Sequence, residues 1–446
     1  MSVPETPPNV LLIHCHDLGR HLGCYGADPD TPHIDGLSEE GTQFEEYFCT
    51  APQCSPSRGS IMTGKHPQRN GLLGLTNVGG WEISRGETTL PACLAADGYR
   101  THLFGIQHEV RENPGERLGY DRVHEGSTRA LEVADTFAEA LEGMVDADAP
   151  FFASAGFTEP HRAYRRDYVD DEAYAARDPD GVALPAFLED RPGVREDMAD
   201  ARTLIEETTD RAVGEIREAL RSAGVEDETL IVFTTDHGLA MPGAKGTLYD
   251  PGIGTALIVR HPDLVPQGAV DDHLLSNVDL LPTLMDLTGG EPPDDLDGRS
   301  FAPLLRDGEY EPRAEVFVGM TWHDAYVPMR GIRTRRFKYI RNYSILPRVY
   351  LPADVFRGKA GMEMAHDYYT VNRPQEELYD LEADPNEEHN LIEGGLYERG
   401  TESDVPSEYS RIVETLRERL DERQTATDDP ILDGHVSPPE YPDRFR

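Results

Sequence analysis

Apolar residues in this chain follow two patterns, short continuous runs and longer stretches spaced for one face of a helix. Continuous runs bounded by polar and turn residues mark strands buried on both faces, as a parallel sheet requires. Asn9 to Ile13 (NVLLI) opens the series, and Tyr99 to Phe104, Phe151 to Ala155, Leu230 to Thr234 and Ala256 to Arg260 continue it. Between them the spacing predicts helices at His33 to Glu40, through Ile61 and Met62 after Cys54 and Pro56, and over a long stretch from about Ala201 to Ala223. The alternation predicts an α/β fold, a large mostly parallel sheet with helices on both faces. From about Glu311 a smaller antiparallel sheet with a late helix, Ser407 to Arg423, is expected to close one side of a pocket. The expected division is 8–310 for a catalytic α/β part and 311–446 for a C-terminal part, after a Pro/Asp-rich connector near Gly290 to Asp297. The final stretch, ending SPPEYPDRFR, reads as a strapped or frayed tail.

A length of 446 residues exceeds what one hydrophobic core usually organises, in keeping with two parts. Charge adds a constraint on the setting. Lys and Arg number 42 against 83 Asp and Glu, a net charge of −41 spread over the whole chain. Such a surface repels itself in dilute buffer and is screened in concentrated salt, which points to a halophilic host. No Lys/Arg block offers a phosphate footprint, so a nucleic-acid partner is disfavoured. The one local basic cluster, RTRRFKYIR (Arg333 to Arg341), reads as a strand pair with exposed or pocket-facing Arg. The acid-rich stretches near Glu376 and Glu387 read as solvated faces. Five scattered cysteines make no disulfide framework, and neither a secretory leader nor a membrane span is visible, so a reducing cytoplasm is expected.

Chemistry gathers just past strand ends, where open α/β sheets hold their ligands. His16-Asp17 follows the first strand and Asp236-His237 follows the strand ending near Thr234. A single histidine is more often packed than functional, but two His/Asp pairs at equivalent strand ends form a plausible divalent-cation site. A third cluster is Cys54 with Pro56 and Arg58. At a helix N-terminus beside a guanidinium, a thiol is acidified and suited to chemistry rather than packing. By contrast Cys15 alternates with His14 and His16 and should face the core, and His102 lies in a strand-like run and should be packed.

The spacing Cys54-x-Pro56-x-Arg58 followed by GSIMTG resembles the signature of sulfatases of the alkaline-phosphatase-like superfamily. TPHIDGLSEEGTQFEEYF (Thr31 to Phe48), DLLPTLMDLTG (Asp279 to Gly289) and EELYDLEADPNEEHNL (Glu376 to Leu391) resemble other segments of that family, so the likeness covers nearly the whole chain. Phe157 to Arg162, Met241 to Gly252, Val327 to Tyr343 and Asp428 to Glu440 resemble its heparan N-sulfatase branch.

The resemblance implies an alkaline-phosphatase-like fold and a metal-dependent sulfuric ester hydrolase. Cys54 would be converted by a formylglycine-generating enzyme to Cα-formylglycine, whose hydrate attacks sulfur and then expels sulfate. It implies that Arg58 steadies that hydrate and that His16, Asp17, Asp236, His237 and the side chain of Cys54 hold one divalent ion. Lys245 would hold the sulfate, His161 would face the leaving group and His108 would help deprotonate the second hydroxyl. His323 and Asp324 would line the substrate pocket.

Two departures stand out: His16 occupies the place of an Asp, and Ile106 that of a Lys. Imidazole donors move metal preference from calcium or magnesium, the family's choice, towards manganese or zinc. The substrate would be a sulfated small molecule or glycan. A phosphodiesterase or phosphonate monoester hydrolase on the same scaffold, and a non-catalytic protein that binds a sulfated glycan, are the alternatives. Oligomeric state is not legible in the sequence.

Overall fold

The computed structural model describes residues 7–440 except 146–148, 165, 307, 345–346, 348, 393–405 and 407. Fourteen strands are described. They are β1 Asn9–Cys15, β2 Thr42–Phe44, β3 Tyr47–Phe48, β4 Arg100–Gly105, β5 Arg122–His124, β6 Phe151–Gly156 and β7 Thr229–Thr235. They continue with β8 Leu257–Arg260, β9 Ala269–Asp271, β10 Leu275–Ser276, β11 Glu315–Trp322, β12 Tyr326–Thr334, β13 Phe337–Asn342 and β14 Glu376–Asp380.

Eight strands form one sheet in the order β5-β4-β6-β1-β7-β8-β2-β9. The five from β5 to β7 run parallel. β8 reverses, pairing antiparallel with β7 and β2. Strand direction leaves no mark on an apolar run, so the reversal was invisible in LIVR. Side-chain alternation splits the interior into two layers. Val10, Leu12, Phe152, Leu230 and Val232 pack on one face of the sheet. Leu11, Ile13, Cys15, Ala153, Ile231 and Phe233 pack on the other. Cys15 is thus a core residue, as expected, and His102 is buried on β4.

Parallel register places four strand ends together: Cys15 of β1 opposes Thr235 of β7, His14 opposes Gly156 of β6, and Gly156 opposes Gly105 of β4. The residues just beyond, 16–17, 106–108, 157–161 and 236–237, therefore issue from one edge of the sheet. The long helix expected from Ala201 starts earlier, at Pro192. It runs to Leu204, passes through a wider π-helical turn at Ile205–Asp210 and continues to Ser222. Pro192 sits in its first turn, a place where proline is tolerated because no backbone N–H is needed there.

β11 to β14 form the antiparallel C-terminal sheet in sequence order. One face packs Val316, Val318 and Ile340 against Phe48, Leu248 and Ile253 of the large part. Helix Ser410–Ala426 covers the other through Val413, Leu416 and Leu420. The late helix thus lies close to its expected place, though Ser407 is outside the described residues. The chain then returns across both parts. Arg330 and Asp429, both buried, make a bidentate ion pair (2.6 and 2.8 Å), and the backbone N–H of Glu440 donates to Gly79 O at 2.8 Å.

The acidic stretch at Glu376 is not a solvated face, while near Glu387 the neighbours Glu382, Glu388 and His389 are exposed as expected and only Glu387 turns inward. Glu376, Glu377 and Glu387 are all buried. Glu387 pairs with the Lys338 ammonium at 2.7 Å, and Arg417 donates to Glu376. Their cations come partly from the basic β12–β13 hairpin, where Arg333 also meets Asp250 at 3.1 Å. A buried charge is tolerated only when paired, and these two clusters of opposite sign neutralise one another.

Candidate functional site

Helix Cys54–Thr63 is buried along its whole length, and Cys54 is its first residue. Amide groups at a helix start favour negative charge there. Cys54 Sγ lies 3.4 Å from His237 Nε2. Burial pushes the thiol up, but Lys245, His237 and His16 outweigh it and hold the thiol well below its ordinary range. Arg58, one turn further along the helix, directs Nε to Asp236 Oδ2 (3.2 Å) and one terminal nitrogen to His14 Nδ1 (2.5 Å).

Asp17 has a φ of +53°, in the left-handed region that Asp adopts more readily than most side chains. Its backbone N–H donates to Asp236 Oδ1 at 3.0 Å, tying the ends of β1 and β7 together. Asp17 Oδ2 accepts from Lys245 Nζ at 3.0 Å, while Oδ1 faces His237 Nε2 at 3.1 Å. His237 Nδ1 lies 3.0 Å from Gly238 O, so Nδ1 carries a proton and Nε2 is the atom turned towards the carboxylates and the sulfur. Burial lowers the imidazole's affinity for a second proton, but Asp236 and the Cys54 sulfur outweigh this and raise it well above the usual value. These groups thus favour a positive charge, a proton or a metal, between them.

The donor set fits a metal. His16 is fully buried and its Nε2 has no hydrogen-bond partner. His16 Nδ1 is 3.0 Å from Asp236 Oδ2, and His237 Nε2 is 3.6 Å from Asp236 Oδ1. Metal bonds of about 2.0–2.3 Å place neighbouring donors roughly 3–3.7 Å apart, the spacing found here. Donor atoms of His16, Asp17, Cys54 and His161 lie within 4.8 Å of one another, as do those of Cys54, Asp236 and His237. His16, Asp17, Asp236 and His237, with the side chain of residue 54, are the residues that would hold the ion.

On the open side, Lys245 Nζ also reaches Asp354 Oδ2 at 2.6 Å and lies 3.4 Å from His161 Nε2. His161 Nδ1 meets the Arg162 carbonyl, which leaves Nε2 facing the site. Burial lowers its pKa, but the Asp17 carboxylate outweighs this and the imidazole is raised to about 9. His108, edge-on to His16 at 5.0 Å between ring centres, is lowered, chiefly by burial. On this open side, His161 is thus held protonated and His108 neutral. His323 and Asp324 stand at the β11–β12 turn, with His323 Nδ1 3.1 Å from Asp324 Oδ1. Asp324 Oδ2 accepts the N–H of Ala353, so this pair buttresses the segment carrying Asp354.

The structure therefore gathers Cys54, Arg58, His16, Asp17, Asp236, His237, Lys245, His161 and His108 at one sheet edge, with His323 and Asp324 beside Asp354. Two residues were missed by the sequence reading. His14 accepts from Arg58 through Nδ1, so its Nε2–H is directed to Ser154 Oγ at 2.9 Å. A histidine in an otherwise apolar strand was the available signal. Asp354 lies in a polar segment with nothing to link it to Lys245, more than a hundred positions earlier.

A family model described as Sulfatase matches residues 8–290, and one described as N-sulphoglucosamine sulphohydrolase, C-terminal, matches 243–351. Human N-sulphoglucosamine sulphohydrolase is 28% identical over 97% of this chain and 94% of its own. A solved protein in complex with its substrate D-glucosamine-2-N,6-O-disulfate shares the fold at TM-score 0.70 and 19% identity, over 97% of this chain and 100% of that one. The phosphonate monoester hydrolase of Agrobacterium radiobacter aligns at TM-score 0.71 and 21% identity, over 96% and 97%.

Proposed function

Because the chain belongs to the sulfatase family, a family of sulfuric ester hydrolases, we propose that it hydrolyses a sulfate ester or sulfamate of a sulfated glycan, with Cys54, converted to formylglycine, as its nucleophilic residue. The observation that carries this reading is the convergence on Cys54 of His237, Lys245, His161 and His108, with Arg58 one turn away on the same buried helix.

Formylglycine supplies a hydrated aldehyde as the oxygen nucleophile, and the divalent ion supplies Lewis acidity that lowers the pKa of that hydroxyl. The chain's own residues do the rest. Lys245 Nζ neutralises an equatorial sulfate oxygen, held in place by Asp17 and Asp354. His161, kept protonated, donates from Nε2 to the departing oxygen or nitrogen. His108, kept neutral, takes the proton from the second hydroxyl. Environments that push two titratable groups apart assign acid and base roles. Arg58 steadies the hydrate, by likeness to the family, and anchors Asp236.

Human N-sulphoglucosamine sulphohydrolase and the glucosamine disulfate complex favour an amino sugar carrying sulfate on nitrogen or oxygen. The ion is calcium or magnesium by family likeness, with manganese or zinc favoured by the imidazole donors. A formylglycine-generating enzyme is then an obligatory partner. The division at about residue 310 belongs to this reading, with 311–446 supplying Asp354, His323 and Asp324 to the pocket. So does a reducing compartment, supported by five unpaired thiols. A second reading, phosphonate monoester hydrolysis, is favoured by the Agrobacterium neighbour.

The test is hydrolysis of glucosamine N-sulfate, glucosamine 6-sulfate, an aryl sulfate and an aryl phosphonate monoester by protein from its native host. Sulfate or sulfamate turnover that exceeds phosphonate turnover and vanishes in Cys54→Ala supports the proposal. Preference for the phosphonate ester supports the second reading, and turnover that survives Cys54→Ala defeats both.

A further inference from the structure

Until it is converted, Cys54 adds a sulfur donor to the site. Its Sγ groups with one donor atom each from His16, Asp17 and His161, all within 4.8 Å of one another. Three of the four are buried and the fourth, His161, is partly exposed, so an ion can enter from the mouth of the site. Two imidazoles, one carboxylate and one thiolate make a four-donor set of the composition zinc-class ions prefer, whereas calcium and magnesium take oxygen ligands.

A free donor atom agrees with that use. His16 is fully buried and its Nε2 has no hydrogen-bond partner. His161 directs Nδ1 at the Arg162 carbonyl, the outer contact that fixes a ligating imidazole with its other nitrogen inward. Resting on the reading of this cluster as a metal centre, we infer that the chain with an intact Cys54 thiol binds one zinc-class ion through His16, Asp17, Cys54 and His161. Binding forms a metal–sulfur bond and releases the thiol proton to solvent, with no oxidation or reduction.

The inferred form is catalytically silent for two reasons. Its sulfur is a ligand rather than a nucleophile, and His161 Nε2 is committed to the metal and cannot protonate a leaving group. The ligand set also differs from the one proposed for the converted enzyme, because His161 takes the place of Asp236 and His237 and sulfur that of an oxygen on residue 54. Conversion of residue 54 removes the sulfur and with it the preference for a soft ion.

The experiment uses full-length protein shown by peptide mass to carry Cys54 as a thiol, freed of metal by dialysis and titrated with Co²⁺. One Co²⁺ per chain is expected, with a near-ultraviolet thiolate-to-cobalt charge-transfer band and the strong visible bands of tetrahedral cobalt. Cys54→Ser should abolish the charge-transfer band, and His161→Gln should weaken Zn²⁺ competition at least about tenfold. Circular dichroism of each variant checks that it is folded. Cobalt bound without the charge-transfer band, unchanged Zn²⁺ affinity in a folded His161→Gln, or no cobalt bound would each overturn the inference. None of these outcomes bears on sulfate hydrolysis by converted protein, so this inference and the hydrolase reading fail separately.

Discussion

Lys245 is fully buried between two carboxylates, its Nζ 3.0 Å from Asp17 Oδ2 and 2.6 Å from Asp354 Oδ2. One carboxylate follows β1 of the large sheet and the other lies in the C-terminal part, so a single ammonium joins the two halves of the site. Burial would lower its pKa, but Asp17 and Asp354 outweigh this and raise it, keeping the lysine charged. Lys245→Ala leaves the buried Asp17 facing the partly buried Asp354 with no cation between them. Loss of about 3–5 kcal/mol of stability in urea unfolding is expected, together with a fall of roughly 10²–10³ in kcat. Lys245→Arg should recover part of both.

Asp354→Asn tests the C-terminal contribution to the site. The amide keeps the shape but removes one of two charges that fix Lys245, so kcat/KM for a sulfate ester should fall about 10-fold, by roughly 1.4 kcal/mol. Unchanged kinetics would remove Asp354 from the site.

His161 should set the basic limb of the pH profile. Its folded pKa is raised to about 9, so the imidazole is protonated at neutral pH and loses its proton as pH rises through that value. A general acid must be protonated to act, and conversion removes the Cys54 sulfur that adds to Asp17 in raising this value, so kcat/KM should be flat near neutrality and fall on the alkaline side, at or below about pH 9. His161→Gln should lower kcat about 10²–10⁴-fold for substrates with poor leaving groups and abolish that limb.

The large sheet could be read from the sequence because buried parallel strands are continuous apolar runs, and NVLLI or TLIVFTT admits few other placements. His16, Asp17, Asp236 and His237 followed, since parallel register carries whatever lies past those strands to one edge, whereas the roles of Cys54, Arg58, His108, His161 and Lys245 were read from likeness to the family. His14 and Asp354 did not follow, because their roles exist only through contacts with Arg58 and Lys245 across the fold. The acids at Glu376 and Glu387 were misread for a related reason. A run of like charges looks solvated until the partners that neutralise it, Arg417 and Lys338, are known to be opposite.

The tail should act as a clamp. Asp429→Ala leaves the buried Arg330 guanidinium unpaired, and a loss of about 3–5 kcal/mol in urea unfolding is expected. Loss below about 1 kcal/mol, the range of an exposed pair, would mean the strap is dispensable.

Salt should stabilise the fold. With 83 acidic against 42 basic residues, self-repulsion falls as the Debye length shortens from about 10 Å at 0.1 M to about 3 Å at 1 M salt. The thermal midpoint should therefore rise steadily with KCl over that range.

The nucleophile itself is open to a single determination, the mass of the peptide containing Cys54 in protein purified out of its native host. Formylglycine in place of the thiol is the expected result. An unmodified cysteine in every copy would contradict the proposed nucleophile and, with it, the hydrolase mechanism.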